Sequence, residues 1–180
     1  MSVQTEQQYN EIIFECKEIF EKKTKDYGTA WRVLRLPSVT DQIFIKARRI
    51  RSMQMKRDNK VGEDIQGEFM GIINYCIIAI IQMQLPDSEK MEIPFITLGP
   101  MYDKVANDAM NLLTAKNHDY DEAWRAMRVH SMTDIIMMKL MRVKQIEDNA
   151  GKTLISEGVD ANYQDIMNYA VFCLIKLKGE

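Results

Sequence analysis

The sequence predicts an all-α protein, a helical bundle written twice in tandem and folded as a pseudo-twofold unit. Three observations carry this. A stretch of more than thirty positions recurs without a gap about 93 residues later. Apolar residues recur at helical spacing with no period-two alternation. Turn-forming residues are confined to a few short stretches.

The segment from Lys23 to Arg35, with Asp26, Tyr27, Ala30 and Trp31, returns from Lys116 to Arg128 as Asp119, Tyr120, Ala123 and Trp124. Adding 93 also carries Ser38, Thr40, Asp41, Lys46 and Arg49 onto Ser131, Thr133, Asp134, Lys139 and Arg142. After one inserted residue, Glu63 meets Glu157, and Asn74-Tyr75 meets Asn168-Tyr169.

Each copy reads as three main helices. The first spans about residues 6 to 25, with Ile12, Cys16, Ile19 and Phe20 on one face. Its twin spans about 101 to 117, with Val105, Ala109, Leu112 and Leu113. A short turn or helix then carries the DY…AW segment. The second helix is expected to begin near Thr40, and again near Thr133, each an N-cap type followed by an aspartate suited to the positive helix end. The third runs from about 64 to 84 and from about 158 to 177. It is apolar nearly all round (Ile72, Ile73, Ile77, Ile78, Ile80, Ile81), so other helices must surround it. The two third helices are expected to meet at the centre. Leu85-Pro86 stops the first copy, and Ile93-Pro94 to Gly99-Pro100 leads into the second, because proline interrupts a helix. The repeats are therefore bounded at 1–85 and 100–180, with 86–99 as linker.

The composition is ordinary for a globular chain of 180 residues, with 46% apolar and 28% charged residues. A net charge of −2 offers no bulk attraction to nucleic acid or to an anionic membrane. Three cysteines, none in a CxxC pair, make no disulfide framework. No charged start followed by an apolar stretch marks a secretory signal. The run from Phe69 to Ile81, interrupted by Asn74, is read as too short to span a bilayer. A cytoplasmic location and no membrane partner are the expectation. Met132, Met137, Met138 and Met141 read as core filler, or as an adaptable binding surface.

Lys139 and Arg142, three apart, are neighbours on one helical face, and Asp134 lies about 80° round the same helix. The first copy repeats the trio as Lys46, Arg49 and Asp41. Adjacent cations on an otherwise apolar helix call for anions, either protein carboxylates or ligand phosphates. On the third helix Glu157 and Asn168, eleven apart, project from nearly one face, with Asp160 and Asp165 near them. Such a stripe can hold Mg²⁺ through oxygen ligands shared with phosphate, or can be a solvated face. The copies diverge here: Asp165 aligns with Gly71, Asp160 with Gln66, and Asp121 with Gly28. The second copy is expected to hold the more complete site. Tyr27, Trp31, Tyr120 and Trp124 either stack on a base or plug the end of the bundle. His118 and His130 lack zinc-ligand spacing, no phosphate-binding glycine loop is present, and Cys16, Cys76 and Cys173 lie on apolar faces.

Together, K-x-x-D-Y-G-x-A-W, S-x-x-D-x-x-x-x-K-x-x-R and E-x(7)-D-x-x-N-Y resemble the nucleotide modification associated domain 1 family, whose function is unknown. Lys23 to Trp31, Ser38 to Arg49, and Glu63 with Asn74-Tyr75 meet the pattern once; Lys116 to Trp124, Ser131 to Arg142, and Glu157, Asp165 and Asn168-Tyr169 meet it again. Asp121 departs from the family's glycine, and Gly71 from its acid. The helical layout is more distantly similar to the all-α nucleoside triphosphate pyrophosphohydrolases of MazG and dimeric dUTPase type. Their E-x-x-E is echoed by Glu15 and Glu18, but the twin is Asp108 and Asn111. That resemblance implies a Mg²⁺-dependent pyrophosphohydrolase acting on a nucleotide or related heterocyclic triphosphate. Asp165, Glu157 and Asp134 would act on metal and water, with Asp108 as a further metal ligand. Lys139, Arg142, Lys46 and Arg49 would neutralise phosphates, and Asn168, Tyr120 and Trp124 would border the substrate. The rival readings are a non-catalytic nucleotide-binding or regulatory module, and a helical structural or interaction protein. The partner expected is a nucleotide or phosphorylated small molecule, without direct nucleic-acid contact; dimerisation of the fused unit stays open.

Overall fold

The computed structural model describes residues 1–56, 62–86, 90–117, 122–155 and 157–179. Among the described residues it is helical, with no strand. Helix α1 (Val3–Tyr27) is capped by the Ser2 side chain, which accepts from the Thr5 N–H at 3.2 Å. It stops at Gly28, whose φ of +67° is a conformation that suits glycine. Tyr9, Ile12, Ile13, Cys16 and Phe20 form its buried stripe. A 3-10 turn (Ala30–Val33) leads to α2 (Leu36–Met55), and α3 (Gly62–Gln84) completes the first repeat. The second repeat reproduces the order with α4 (Phe95–Asn117), a 3-10 turn (Ala123–Ala126), α5 (Val129–Asp148) and α6 (Val159–Lys178).

Two expected boundaries move. Thr40 and Thr133 are not N-caps: α2 and α5 begin one turn earlier, after Arg35 and Arg128. The Thr133 hydroxyl instead bonds back to the Val129 carbonyl at 3.1 Å, while the Thr40 hydroxyl lies 3.2 Å from the Leu36 carbonyl and has a closer acceptor in Glu147. Pro37 stands in the first turn of α2, where its missing N–H costs no hydrogen bond. The linker is also shorter than 86–99, since α4 already starts at Phe95 and takes Pro100 into its second turn.

The helices stack in three layers of two. The central layer is α3 against α6, as the apolar circumference of both requires. On one side lie α2 and α5, which also pack against each other; on the other lie α1 and α4. By length and composition Ile65–Gln84 would reach across a bilayer, at mean hydropathy 1.4, so the apolar run is longer than the sequence reading allowed. That stretch is 67% buried inside the bundle, as the core helix of such a bundle is. Of the four methionines on α5, Met132 enters the core while Met138 and Met141 stay exposed.

The contacts between the repeats come in twinned pairs. Tyr9 donates to Asn168 Oδ1 at 2.8 Å, and Tyr102, its twin, donates to Asn74 Oδ1 at 2.8 Å. Each asparagine spends its amide on a carbonyl of its own repeat's first helix, Cys16 or Ala109, both at 3.0 Å. Asp41 pairs with Lys144, and Asp134 with Arg51 at 3.8 Å. Thr40 donates to Glu147 at 2.7 Å, and Gln54 donates to Thr133 at 3.0 Å. Each repeat thus supplies the partner the other lacks.

The chain ahead of each first helix also docks on the opposite repeat's 3-10 turn. Thr29 donates to the Met91 carbonyl at 2.5 Å and accepts from Ile93 N–H at 3.1 Å. At the corresponding place, Glu122 accepts from Ser2 N–H and from Thr5 Oγ1, both at 2.7 Å, and from Arg125 Nε at 2.8 Å. Glu122 sits at φ +54°, a backbone cost that these three donors offset.

Candidate functional site

A cavity of about 300 Å³ opens in the first repeat, between the end of α1, the first 3-10 turn, α2 and α3. The helices explain its contents. α1 brings Phe20, Lys23 and Tyr27 to one side on successive turns, and the glycine that ends the helix lets the chain fold back so that Trp31 faces them. α3 supplies Gly67, Gly71 and Tyr75, four residues apart each time and hence on one face. α2 contributes Lys46. The walls are mainly aliphatic and aromatic, with cations at the edge.

Two glycines let a neighbouring side chain lie close against the backbone. At Gly71 a Cβ would stand 2.8 Å from Lys46 Cε, so the lysine stem lies across a surface that no side chain occupies. Its Nζ reaches to 5.9 Å from the centre of the Tyr75 ring. At Gly28 a Cβ would stand 2.3 Å from a carboxylate oxygen of Glu92. Lys46 meets Glu68 at 3.2 Å, and the other oxygen of Glu68 meets Arg49 at 2.9 Å. One carboxylate therefore serves two cations. Lys23 is exposed and has no ion-pair partner among the described residues. Tyr27 is 59% exposed, and burial of part of its ring pushes the phenol pKa above its ordinary value.

The same place in the second repeat is arranged differently. Trp124 is only 4% exposed, stacked on Phe172 at 4.2 Å with an interplanar angle of 2°, and Arg125 lies 4.4 Å from its ring. Phe172 stands where the first repeat has Ile78, which gives this tryptophan a stacking partner that Trp31 lacks among the described residues. Its role is packing. Asp165 stands in the place of Gly71 and holds Lys139 at 2.7 Å. Tyr120 and Asp121 lie outside the described residues. In both repeats the indole N–H, of Trp31 and of Trp124, is buried with no hydrogen-bond partner among the described residues.

The residues singled out from the sequence do not all come together. Lys139 and Asp165 meet; Arg142 is exposed nearby on α5 and has no ion pair among the described residues. Glu157 is exposed ahead of α6. Asp134 faces Arg51 of the other repeat, because α2 and α5 run side by side and turn that edge toward each other. Asp108 pairs along α4 with Lys104 at 2.6 Å, one helical turn away. Asn168 is buried, with oxygen and amide both engaged in joining the repeats. No group of three or more histidine, cysteine or acidic side chains stands together among the described residues. The cysteines are buried, and burial pushes the Cys16 thiol up to about 12, far from a working nucleophile.

Lys46, Arg49, Tyr27 and Trp31 are candidates from the sequence, whereas Lys23 and Tyr75 enter there only as motif positions, and Gly71 only as a departure from an acid. A missing side chain opposite a lysine is as much a signal of space as of a lost ligand.

What fold and site define together is a tandem pseudo-twofold helical bundle with a small aromatic-walled pocket in its first half. The family model described as nucleotide modification associated domain 1 matches residues 23–83 and again 116–177, well over half of the chain. The chain belongs to that family, and carries it twice. No curated protein and no solved structure matches the chain.

Proposed function

We propose that this protein is a nucleotide-binding module whose ligand, a phosphorylated heterocycle, occupies the first-repeat pocket. The observation that carries this is the pairing, in one cavity of about 300 Å³, of four aromatic side chains (Phe20, Tyr27, Trp31, Tyr75) with two lysines (Lys23, Lys46). Aromatic faces take a flat ring at little cost in side-chain ordering, and ammonium groups at the edge take an anion. The volume lies at the small end of what such sites enclose.

The Mg²⁺-dependent pyrophosphohydrolase is the lesser reading. It needs carboxylates converging with cations, whereas Asp165, Asp134 and Asp108 are each tied to a different basic partner on a different helix. Binding without hydrolysis accords better with that dispersal.

A panel of nucleosides and nucleotides, with and without Mg²⁺, tests the proposal by thermal unfolding and by pyrophosphate release. A ligand at a hundred times its Kd stabilises the fold by about 2.7 kcal/mol. That corresponds to about 5–10 °C in a chain of this size. Stabilisation that disappears in Trp31→Ala and Lys46→Ala, without pyrophosphate release, is the expected result. Release that depends on Mg²⁺ and Asp165 would replace the module by the hydrolase. Absence of both signals would leave a structural helical protein.

A further inference from the structure

The cation supply of the first-repeat pocket is small and graded. Lys46 can turn from Glu68 toward a ligand without stranding that carboxylate, because Glu68 keeps Arg49 at 2.9 Å. Lys23 is already without an ion-pair partner among the described residues. These two are the cations lining the cavity. In the second repeat the acid sits instead at the glycine's position, as Asp165, and engages Lys139 directly at 2.7 Å.

We infer that the first-repeat pocket takes a nucleoside monophosphate, one flat ring and one terminal phosphate, and discriminates against the triphosphate, with Gly71 as the positioning residue that leaves Lys46 room to turn toward the ligand. This rests on the nucleotide-binding reading above. A monophosphate brings about −1.5 to −2 charges at neutral pH, which two lysines match. A triphosphate brings far more charge, and among the described residues the cavity wall holds no cation beyond Lys23 and Lys46 to meet it. The wall at Gly71 is where discrimination is set. With no side chain there, the lysine stem lies over the glycine and its ammonium reaches Tyr75. An aspartate there would draw the ammonium away, as Asp165 draws Lys139.

The two tryptophans, one per repeat, supply the readout through their indole N–H signals in nitrogen-15 NMR of the full chain. The probes are the nucleoside, 5′-monophosphate and 5′-triphosphate of each common base, titrated with and without Mg²⁺. For the preferred base, the monophosphate is expected to shift the Trp31 signal with an affinity at least about tenfold above both nucleoside and triphosphate. Lys46→Gln is expected to narrow the advantage of the monophosphate over the nucleoside, with Lys23 left as the one lysine on the phosphate. Gly71→Asp is expected to do the same, a pattern that mere loss of packing would not give. If Gly71→Asp fails to fold, Lys46→Gln carries the test. Tightest binding by the triphosphate, or a monophosphate preference intact in Lys46→Gln, overturns the inference while nucleotide binding stands. Failure of every probe to move the Trp31 signal overturns the nucleotide reading itself, and the inference with it.

Discussion

The hydroxyl of Tyr9 donates to Oδ1 of Asn168 at 2.8 Å, from the first helix of one repeat to the third helix of the other. Tyr102 and Asn74 make the same bond in the opposite sense. All four side chains are buried, and burial pushes the Tyr9 phenol well above its ordinary range, so it remains a neutral donor. Asn168, which the sequence offers as a substrate contact, and its twin Asn74 are the rivets of the duplication.

Removing one rivet head has a defined cost. Tyr9→Phe leaves the Asn168 oxygen buried without its donor, and Tyr102→Phe does the same to Asn74. Each is expected to cost about 1–3 kcal/mol, the penalty for an unsatisfied buried acceptor. Urea unfolding would show this as a lower midpoint with an unchanged slope. A loss below the error of the extrapolation in both variants would mean that water replaces the tyrosine hydroxyl.

Asp134 separates a contact between repeats from a chemical role. Its pair with Arg51 spans 3.8 Å with both side chains more than half exposed. Pairs of this kind contribute about 0–1 kcal/mol. Asp134→Asn is therefore expected to shift stability by less than about 1 kcal/mol and to leave ligand binding at the first repeat unchanged. Loss of binding or of catalysis in this variant would restore Asp134 to the site.

Glu122 gives the fold an acid limit. Burial by itself would raise its carboxyl pKa, but hydrogen bonds from Arg125, the Ser2 N–H, and the Thr5 and Ser2 side chains outweigh it and hold the value at about 2, below the usual 4.5. The folded state therefore binds this proton less readily than the unfolded chain. The stabilisation is fully present above pH 4.5 and is lost as pH falls toward 2. Glu122→Gln is expected to be less stable at neutral pH and to lose less stability than the parent across that window. Denaturant midpoints at pH 6, 4 and 3 give the comparison, and parallel pH profiles would refute it.

The repeat, the helical class, the run of three helices in each half and the central place of the two apolar helices are all legible in the chain itself, because periodicity and turn residues are local properties. The start of α2 is a local matter too, yet Thr40 misleads. A threonine serves as an N-cap or bonds back within a helix with equal ease, and neighbours decide between them. The fate of the charged residues is of another kind. Asp134 and Asp108 carry the same carboxylate, and nothing near them in sequence says that one faces the opposite repeat and the other its own helix.

What the sequence by itself determined is a duplicated all-helical bundle of the nucleotide modification associated domain 1 family, with lysine, arginine, acid and aromatic positions written twice. What only the tertiary structure decided is how those twins diverged: Trp31 borders an open cavity while Trp124 lies under Phe172, and Lys46 lies across a glycine while Lys139 is held by Asp165. The reason is physical. Whether a side chain finds space or a partner depends on volumes and charges contributed by helices far apart along the chain, and these exist only once the layers have packed.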